Sequence, residues 1–232
     1  MAQSGFHGII GVYGSRAMAA RSVAPAKEKG DLKFGFVLGN ILPDVDLVPL
    51  VLLYLYDSKL AMSMHRTFTH SLLMAAAVYL LFAARRRPGL ALGLAAGMVL
   101  HDLVDMAVWF SGVDFLWPLG LFGLPSAVNL WASWQPPAVV GSLLGAADYL
   151  AYGIYFAVLR RAALRREARL EFLPRLGLYT NLQWALTVVF VALALVLSPS
   201  LFNVVHYALF TLVMMPLAIF VTVRMRPVIE EF

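Results

Sequence analysis

Three short blocks in the first half of the chain hold side chains able to do chemistry. They are Pro43-Asp44-Val45-Asp46, His65-Arg66-Thr67-Phe68-Thr69-His70-Ser71 and His101-Asp102-Leu103-Val104-Asp105. His101 and Asp105 stand four residues apart, so on a helix they share a face and can bind one ion. Asp102, one residue on from His101, is expected to face elsewhere. The same spacing also serves a hydrogen-bonded His–Asp pair that stabilises a helix bundle. His65 and His70 would lie about 140° apart on an ideal helix. They converge if His65 sits in a loop and His70 in the first turn of the next helix, with Thr67 or Thr69 as N-cap. Otherwise His65 and Arg66 are solvated interfacial groups.

Asp44 and Asp46 point to one side in a turn or extended segment. Pro43 and Pro49 favour such a break. No Lys or Arg lies within ten residues of the pair, and two carboxylates so placed call for a cation. A turn capping the following half-helix is their other use. Together these side chains suffice for one or two divalent ions. The chain has no Cys, and imidazole with carboxylate suits Zn²⁺ first, then Mn²⁺ or Fe²⁺. Two such ions about 3.5–4 Å apart polarise a phosphoryl or acyl group and make hydroxide available near neutral pH. Asp44 would bridge them. Arg66 would neutralise a substrate phosphate, or serve as a cation at headgroup level.

The elements that position these blocks follow from composition. Of 232 residues, 61% are apolar and 13% charged, against about 45–50% and about 25% in soluble domains. Mean hydropathy is +0.79. A disordered chain, a nucleic-acid tail protein and a disulfide scaffold are excluded. The net charge of +5 comes from cations set between apolar runs, so a membrane rather than nucleic acid is expected. The fold class expected is all-α: a polytopic membrane bundle of five to six spans in a single membrane domain. The clear spans are residues 67–84, 89–110, 138–159, 178–197 and 201–223, each near the roughly 20 residues that cross a bilayer core. Residues 34–56 read as a broken helix carrying Asp44-x-Asp46. The domain divides into residues 1–33, a metal-site half at 34–120 and C-terminal helices at 138–232.

Arg85–Arg87, the arginines of 160–175, and Arg224 and Arg226 fall on one side if the spans alternate. The positive-inside rule makes that side, and the C-terminus, cytoplasmic. The site then faces outward. Residues 111–137, with Trp117, Trp131 and Trp134, read as an aromatic lid in the outer interface. Depth ties the blocks together: at 1.5 Å per residue His101 lies about 18–20 Å, and Asp105 about 25 Å, from the Arg87 end, and His70 about 22 Å from Arg85. His7 reaches that level only if the basic segment 1–33 folds back toward the outer face. In the second half, Asp148 reads as a structural or ligand-orienting partner of its neighbours. His206 reads as an interhelical hydrogen bonder.

The ordered blocks resemble the YdjM-like family of membrane-bound, metal-dependent hydrolases. The likeness rests on His7-Gly8, Gly39-Asn40-Ile41-Leu42-Pro43-Asp44-Val45-Asp46, His65-Arg66 with Thr69-His70-Ser71, His101-x-x-x-Asp105, and Gly112 and Trp117-Pro118. It covers residues 7–120. It implies metal roles for His7, Asp44, Asp46, His65, His70, His101 and Asp105, and phosphoester hydrolysis akin to zinc-dependent phospholipase C. Two positions depart: Leu47 stands where a His is expected, and Thr67 where a Gly often follows His-Arg. The first would leave one ligand fewer and a mononuclear site.

The function expected is a bacterial-type inner-membrane hydrolase cleaving a lipid or lipid-linked phosphoester, with Asp44, Arg66 and His70 at the reaction. The alternatives are a metal or proton transporter, and a membrane protein with a structural metal. Against transport, residues 72–84 and 88–100 carry no charge.

Overall fold

The computed structural model describes residues 4–108, 112–130, 136–168 and 170–232, without the Met62 side chain. The described chain is all-α apart from one β-bridge, Val113 to Val128. In order come α1 (Ser4–Arg21), α2 (Ala26–Gly39), a 3-10 turn Leu42–Asp46, α3 (Leu47–Tyr56), α4 (Ser58–Met64), a 3-10 turn Phe68–His70, α5 (Leu72–Ala84) and α6 (Pro88–Val108). After the 112–130 segment follow α7 (Ala138–Arg165), α8 (Leu173–Val196), α9 (Pro199–Leu209), α10 (Met215–Arg224) and α11 (Arg226–Glu231). A π-helical segment, Phe210–Met214, joins α9 to α10. Pro216 accounts for it, because its ring clashes with the carbonyl four residues back and offers no N–H.

Among the described residues four helices are long and apolar enough to span: Pro88–Val108, Ala138–Arg165, Leu173–Val196 and Pro199–Arg224. The pair Ala26–Gly39 and Leu42–Tyr56, bent by 47°, makes the broken fifth. The expected span at 67–84 is corrected. Its helix has 13 residues, because residues 65–71 are used to build the site. Ser71, not Thr67 or Thr69, caps it by accepting the Met74 N–H at 3.2 Å.

Contacts fix the helix directions. Glu28, Leu32 and Phe36 of α2 lie against Gly89, Gly93 and Gly97 of α6, so the two run parallel. Side chains are excluded along this seam: a Cβ at Gly93 or Gly97 would collide with the backbone of α2. Such close approach is how small residues hold helices together without a hydrophobic drive between them. α1 runs antiparallel to α2, with Gly11 on Val37 and Gly14 on Phe36. It runs parallel to α7, with Gly5 on Tyr152 and Gly8 on Tyr155. α7 fills the centre through buried Tyr149, Tyr152, Tyr155, Phe156 and Leu159.

These directions gather the cations at one end: the C-terminus of α1, the start of α2, the Arg85–Arg87 turn, the end of α7, the start of α8, and α10–α11. Asp31 there binds Arg87 at 2.9 Å and Arg226 at 2.7 Å, and Lys33 donates to the Glu230 carbonyl at 3.1 Å. Among the described residues only Lys59 and Arg66 of the Lys and Arg lie on the other side. Arg169, Trp131 and Trp134 lie outside the described residues.

The candidate metal centre

Where α1 begins, α2 ends and α6 nears its end, the three blocks meet at one level. α1 turns back antiparallel to α2, which brings His7 to the level of the centre while Arg16 and Arg21 stay toward the cationic end. Along α6 the glycine seam continues in the same four-residue step into His101 and Asp105. Asn40, just past α2, offers its carbonyl to His101 Nδ1 at 2.9 Å. The carbonyl end of α2, the negative pole of its dipole, thus faces the centre, which favours a cation.

The hydrogen bonds assign the tautomers. A carbonyl only accepts, so His101 Nδ1 carries the proton and Nε2 bears a lone pair. Asp46 Oδ1 lies 2.9 Å from His65 Nδ1, which donates to it. Thr69 donates its hydroxyl to Asp46 Oδ2 at 2.9 Å and accepts from His70 Nδ1 at 3.0 Å. All three imidazoles therefore turn bare Nε2 atoms inward. These lie 3.9, 3.5 and 3.7 Å from Asp44 Oδ1 for His65, His70 and His101. His70 Nε2 and His101 Nε2 are 3.2 Å apart. Asp44 Oδ1 and His65 Nε2 have no hydrogen-bond partner among the described residues, while Ser4 holds the other Asp44 oxygen at 2.7 Å.

Acceptors facing acceptors repel unless a cation lies between them. Tetrahedral zinc, with bonds of about 2.0–2.1 Å, holds its ligands about 3.4 Å apart, close to the spacings found. The residues fit a divalent ion on that ground. Three overlapping buried groups keep their donor atoms within 4.8 Å of one another: Asp44/His65/His70, His7/His101/Asp105 and His70/His101/Asp102. The first two share no residue, so the seven expected side chains are arranged as two adjacent triads with Asp46 outside both. Asp46 instead orients His65 and His70. His7 stacks on His101 with ring centroids 3.7 Å apart and meets Asp105 Oδ1 at 3.0 Å.

The expectation for Asp102 is corrected: it is fully buried and joins His70 and His101. A wheel of Cα positions misjudged it, since the 100° between neighbouring positions does not keep their side-chain ends apart. Ser4, Asn40 and Thr69 were also missed. The glycine step leading into His101 was the available signal for Asn40, because it puts the α2 terminus there. The Asp148 and His206 readings can be joined: Asp148 Oδ2 lies 3.5 Å from His206 Nε2, across α7 and α9.

Outside the spanning segments, burial pushes the His65 imidazole below its ordinary value despite the Asp46 hydrogen bond. For His70 burial acts the same way, but the facing Asp44 carboxylate, with Asp46 and Asp105 beyond it, outweighs burial and raises the value. Arg66 is buried, with Nε 3.2 Å from Asp105 Oδ2. Its φ of 66° is a left-handed conformation uncommon outside glycine. The Arg66 carbonyl accepts from Asp114 N at 2.9 Å, and Leu72 N donates to the Phe115 carbonyl at 3.0 Å. The 112–130 segment is thereby tied over the centre, and Trp117 meets Phe68 edge-on at 5.0 Å. A polar cavity of about 250 Å³ lies between them, lined by His65, Arg66, Thr67 and Asp114 among others.

An all-α, membrane-spanning bundle that buries a His/Asp cluster is the class defined here. The model of the YdjM inner membrane protein family matches residues 1–205. The chain belongs to that family, and the match runs well past the residues 7–120 that carried the resemblance. Searches of curated proteins and of solved structures found no match.

Proposed function

We propose that this protein is an integral inner-membrane, metal-dependent hydrolase that cleaves a phosphoester of a lipid or lipid-linked substrate. The observation that carries the reading is the convergence of three bare imidazole nitrogens on an unpartnered Asp44 oxygen, with every far nitrogen tied. One or two divalent ions, zinc first and manganese or iron next, would be held by the Asp44/His65/His70 and His7/His101/Asp105 triads. Such an ion supplies Lewis-acid polarisation and a water acidic enough to react near neutral pH.

The chain's own groups do the rest. Asp46, Thr69 and the Asn40 carbonyl fix the imidazole planes. Arg66, at the wall of the polar cavity, neutralises the phosphate, while Asp105 holds its guanidinium. Asp44 and His70, facing both the triads and each other, keep the reacting region polar inside an apolar bundle. The reaction adds water oxygen to phosphorus, breaks the phosphorus–oxygen bond to the alcohol, and returns a proton to that alcohol.

The cationic end is assigned to the cytoplasm by the positive-inside rule, which turns the centre and its cap outward. A structural metal is the second reading, favoured by the complete burial of all three groups. Transport is disfavoured because the α2–α6 seam below His101 is closed backbone to backbone. The test is metal content by plasma mass spectrometry on purified protein beside His101→Ala, then hydrolysis of phospholipid and phosphodiester substrates. Stoichiometric metal lost in the variant, together with metal-dependent turnover, supports the proposal. Stoichiometric metal with no turnover of any such substrate leaves the structural reading, and absence of metal overturns both.

A further inference from the structure

The polar cavity beside the centre is lined by groups of opposite charge. His65 and Arg66 belong to the wall it shares with the centre, and Asp114 to the wall supplied by the cap. Ser63 and Ala127, which also line it, are exposed. Its volume of about 250 Å³ equals that of about eight water molecules, which suits a small headgroup. Because His65 and Arg66 are common to both, whatever fills the cavity lies beside the ligands of the metal.

The Arg66 charge has a use in the reaction described above, and the Asp114 charge has none. Asp114 Oδ1 is shut off from solvent without a hydrogen-bond partner, and Asp114 enters no ion pair among the described residues. A bare buried carboxylate oxygen is costly and calls for a donor or a cation. The backbone nevertheless holds it at the cavity. Asp114 N–H donates to the Arg66 carbonyl at 2.9 Å, its own carbonyl accepts from Trp117 N–H at 2.9 Å, and Val113 beside it is bridged to Val128. The carbonyl that Asp114 meets belongs to left-handed Arg66 (φ 66°), so a strained backbone is kept where the two residues join. One hydrogen bond separates their main chains. The two walls therefore match a single ligand that carries a phosphate and a positive charge a few bonds apart.

We propose that Asp114 receives the ammonium group of the substrate's headgroup while Arg66 takes its phosphate, so that the protein selects phospholipids whose headgroup is a short amino alcohol. This rests on the hydrolase reading and adds the substrate class to it. A headgroup without a cation, such as glycerol, leaves the Asp114 carboxylate bare and is rejected on that account. A soluble phosphodiester of the same amino alcohol satisfies both walls equally, and the experiment separates it from the lipid.

The experiment offers the full chain, zinc-loaded in detergent, an equimolar pair of phosphinate analogues of phosphatidylethanolamine and phosphatidylglycerol with matched chains. Carbon replaces both ester oxygens at phosphorus, so neither is hydrolysed, and bound lipid is counted by native mass spectrometry. The expected result is preferential retention of the ethanolamine analogue. Asp114→Asn, of the same shape, should lower that preference about tenfold with bound zinc and thermal unfolding unchanged. Asp114→Lys should turn the preference toward the glycerol analogue. Equal retention by the unmodified chain, or a preference kept in Asp114→Asn, overturns the proposal. Displacement of the lipid by glycerophosphoethanolamine at equal concentration overturns the lipid as the source of the headgroup. Turnover of the two natural lipids is measured alongside. An Asp114-dependent preference with no turnover of either would sink the hydrolase reading alone. Turnover with the same ratio of the two lipids before and after Asp114→Asn would sink the headgroup site alone.

Discussion

Asp44 and Asp46 are two residues apart and hold different positions. Asp44 aims a bare oxygen at three imidazoles, whereas both Asp46 oxygens are spent on His65 and Thr69. Asp44→Ala should therefore abolish stoichiometric zinc binding. Asp46→Ala should weaken it by about 10- to 100-fold, the usual cost of losing a group that orients a ligand. Competition with a zinc-binding dye measures both; equal losses would refute the division. Acid acts through His70. Its folded value is raised, so in metal-free protein a proton there contributes stability fully present below the unfolded value of about 6.5. That contribution is lost as pH rises through the higher folded value. Because the same proton competes with metal, zinc affinity should fall about tenfold per pH unit below the folded value. Zinc titrations across pH 5–8 would show it, and a flat profile would count against the His70 assignment.

Among the elements, the α2–α6 seam sets the geometry of the centre. Gly97 lies one helical turn below His101 and against Phe36 and Asn40, so a side chain there moves the carbonyl that holds His101. Gly97→Leu should lower stability by about 1–3 kcal/mol, as overpacking does, and release metal as well. Thermal unfolding in detergent, with metal content before and after, tests both. Ala76→Leu, at an exposed position on α5 away from the seam, should do neither. The long spans were legible because about 20 apolar residues in a row have few other uses. The broken helix was legible from Pro43 and Pro49. The start of α5 was not, because Phe68 to Ser71 reads as helix until the bonds of Thr69 and His70 pull it open. Nor was α1: four glycines and scattered polar residues dilute its hydropathy. Its role shows only once Gly5, Gly8 and Gly11 are seen packed on α7 and α2.

The whole molecule is polar along its long axis. One end gathers the cations, while the other carries the cap with exposed Leu121 and Phe122, and α3–α4 with exposed Leu52 and Tyr56. The native chain has no Cys, so single cysteines report sidedness directly. A membrane-impermeant maleimide should label Leu121→Cys in spheroplasts and Arg86→Cys only after permeabilisation. The reverse pattern would turn the centre toward the cytoplasm. Depth by chain arithmetic agreed with the structure for His70, His101 and Asp105 because α5 and α6 are a simple hairpin. No such arithmetic reached Asp148 and His206, 58 positions apart on α7 and α9. Their pairing depends on how the second half turns back at residues 166–172 and 197–198.

The α3–α4 excursion leaves the centre at Asp46 and returns to it at His65, and those two residues clasp each other. Every donor of the two triads is buried, and His65, one half of the clasp, also lines the polar cavity beside the centre. An ion held there would be governed by how often the clasp opens rather than by how strongly each ligand grips. Exchange would then be slow even at modest affinity. A chelator would empty the protein at a rate that stops rising with chelator concentration, and that plateau would be the opening rate of the hairpin itself.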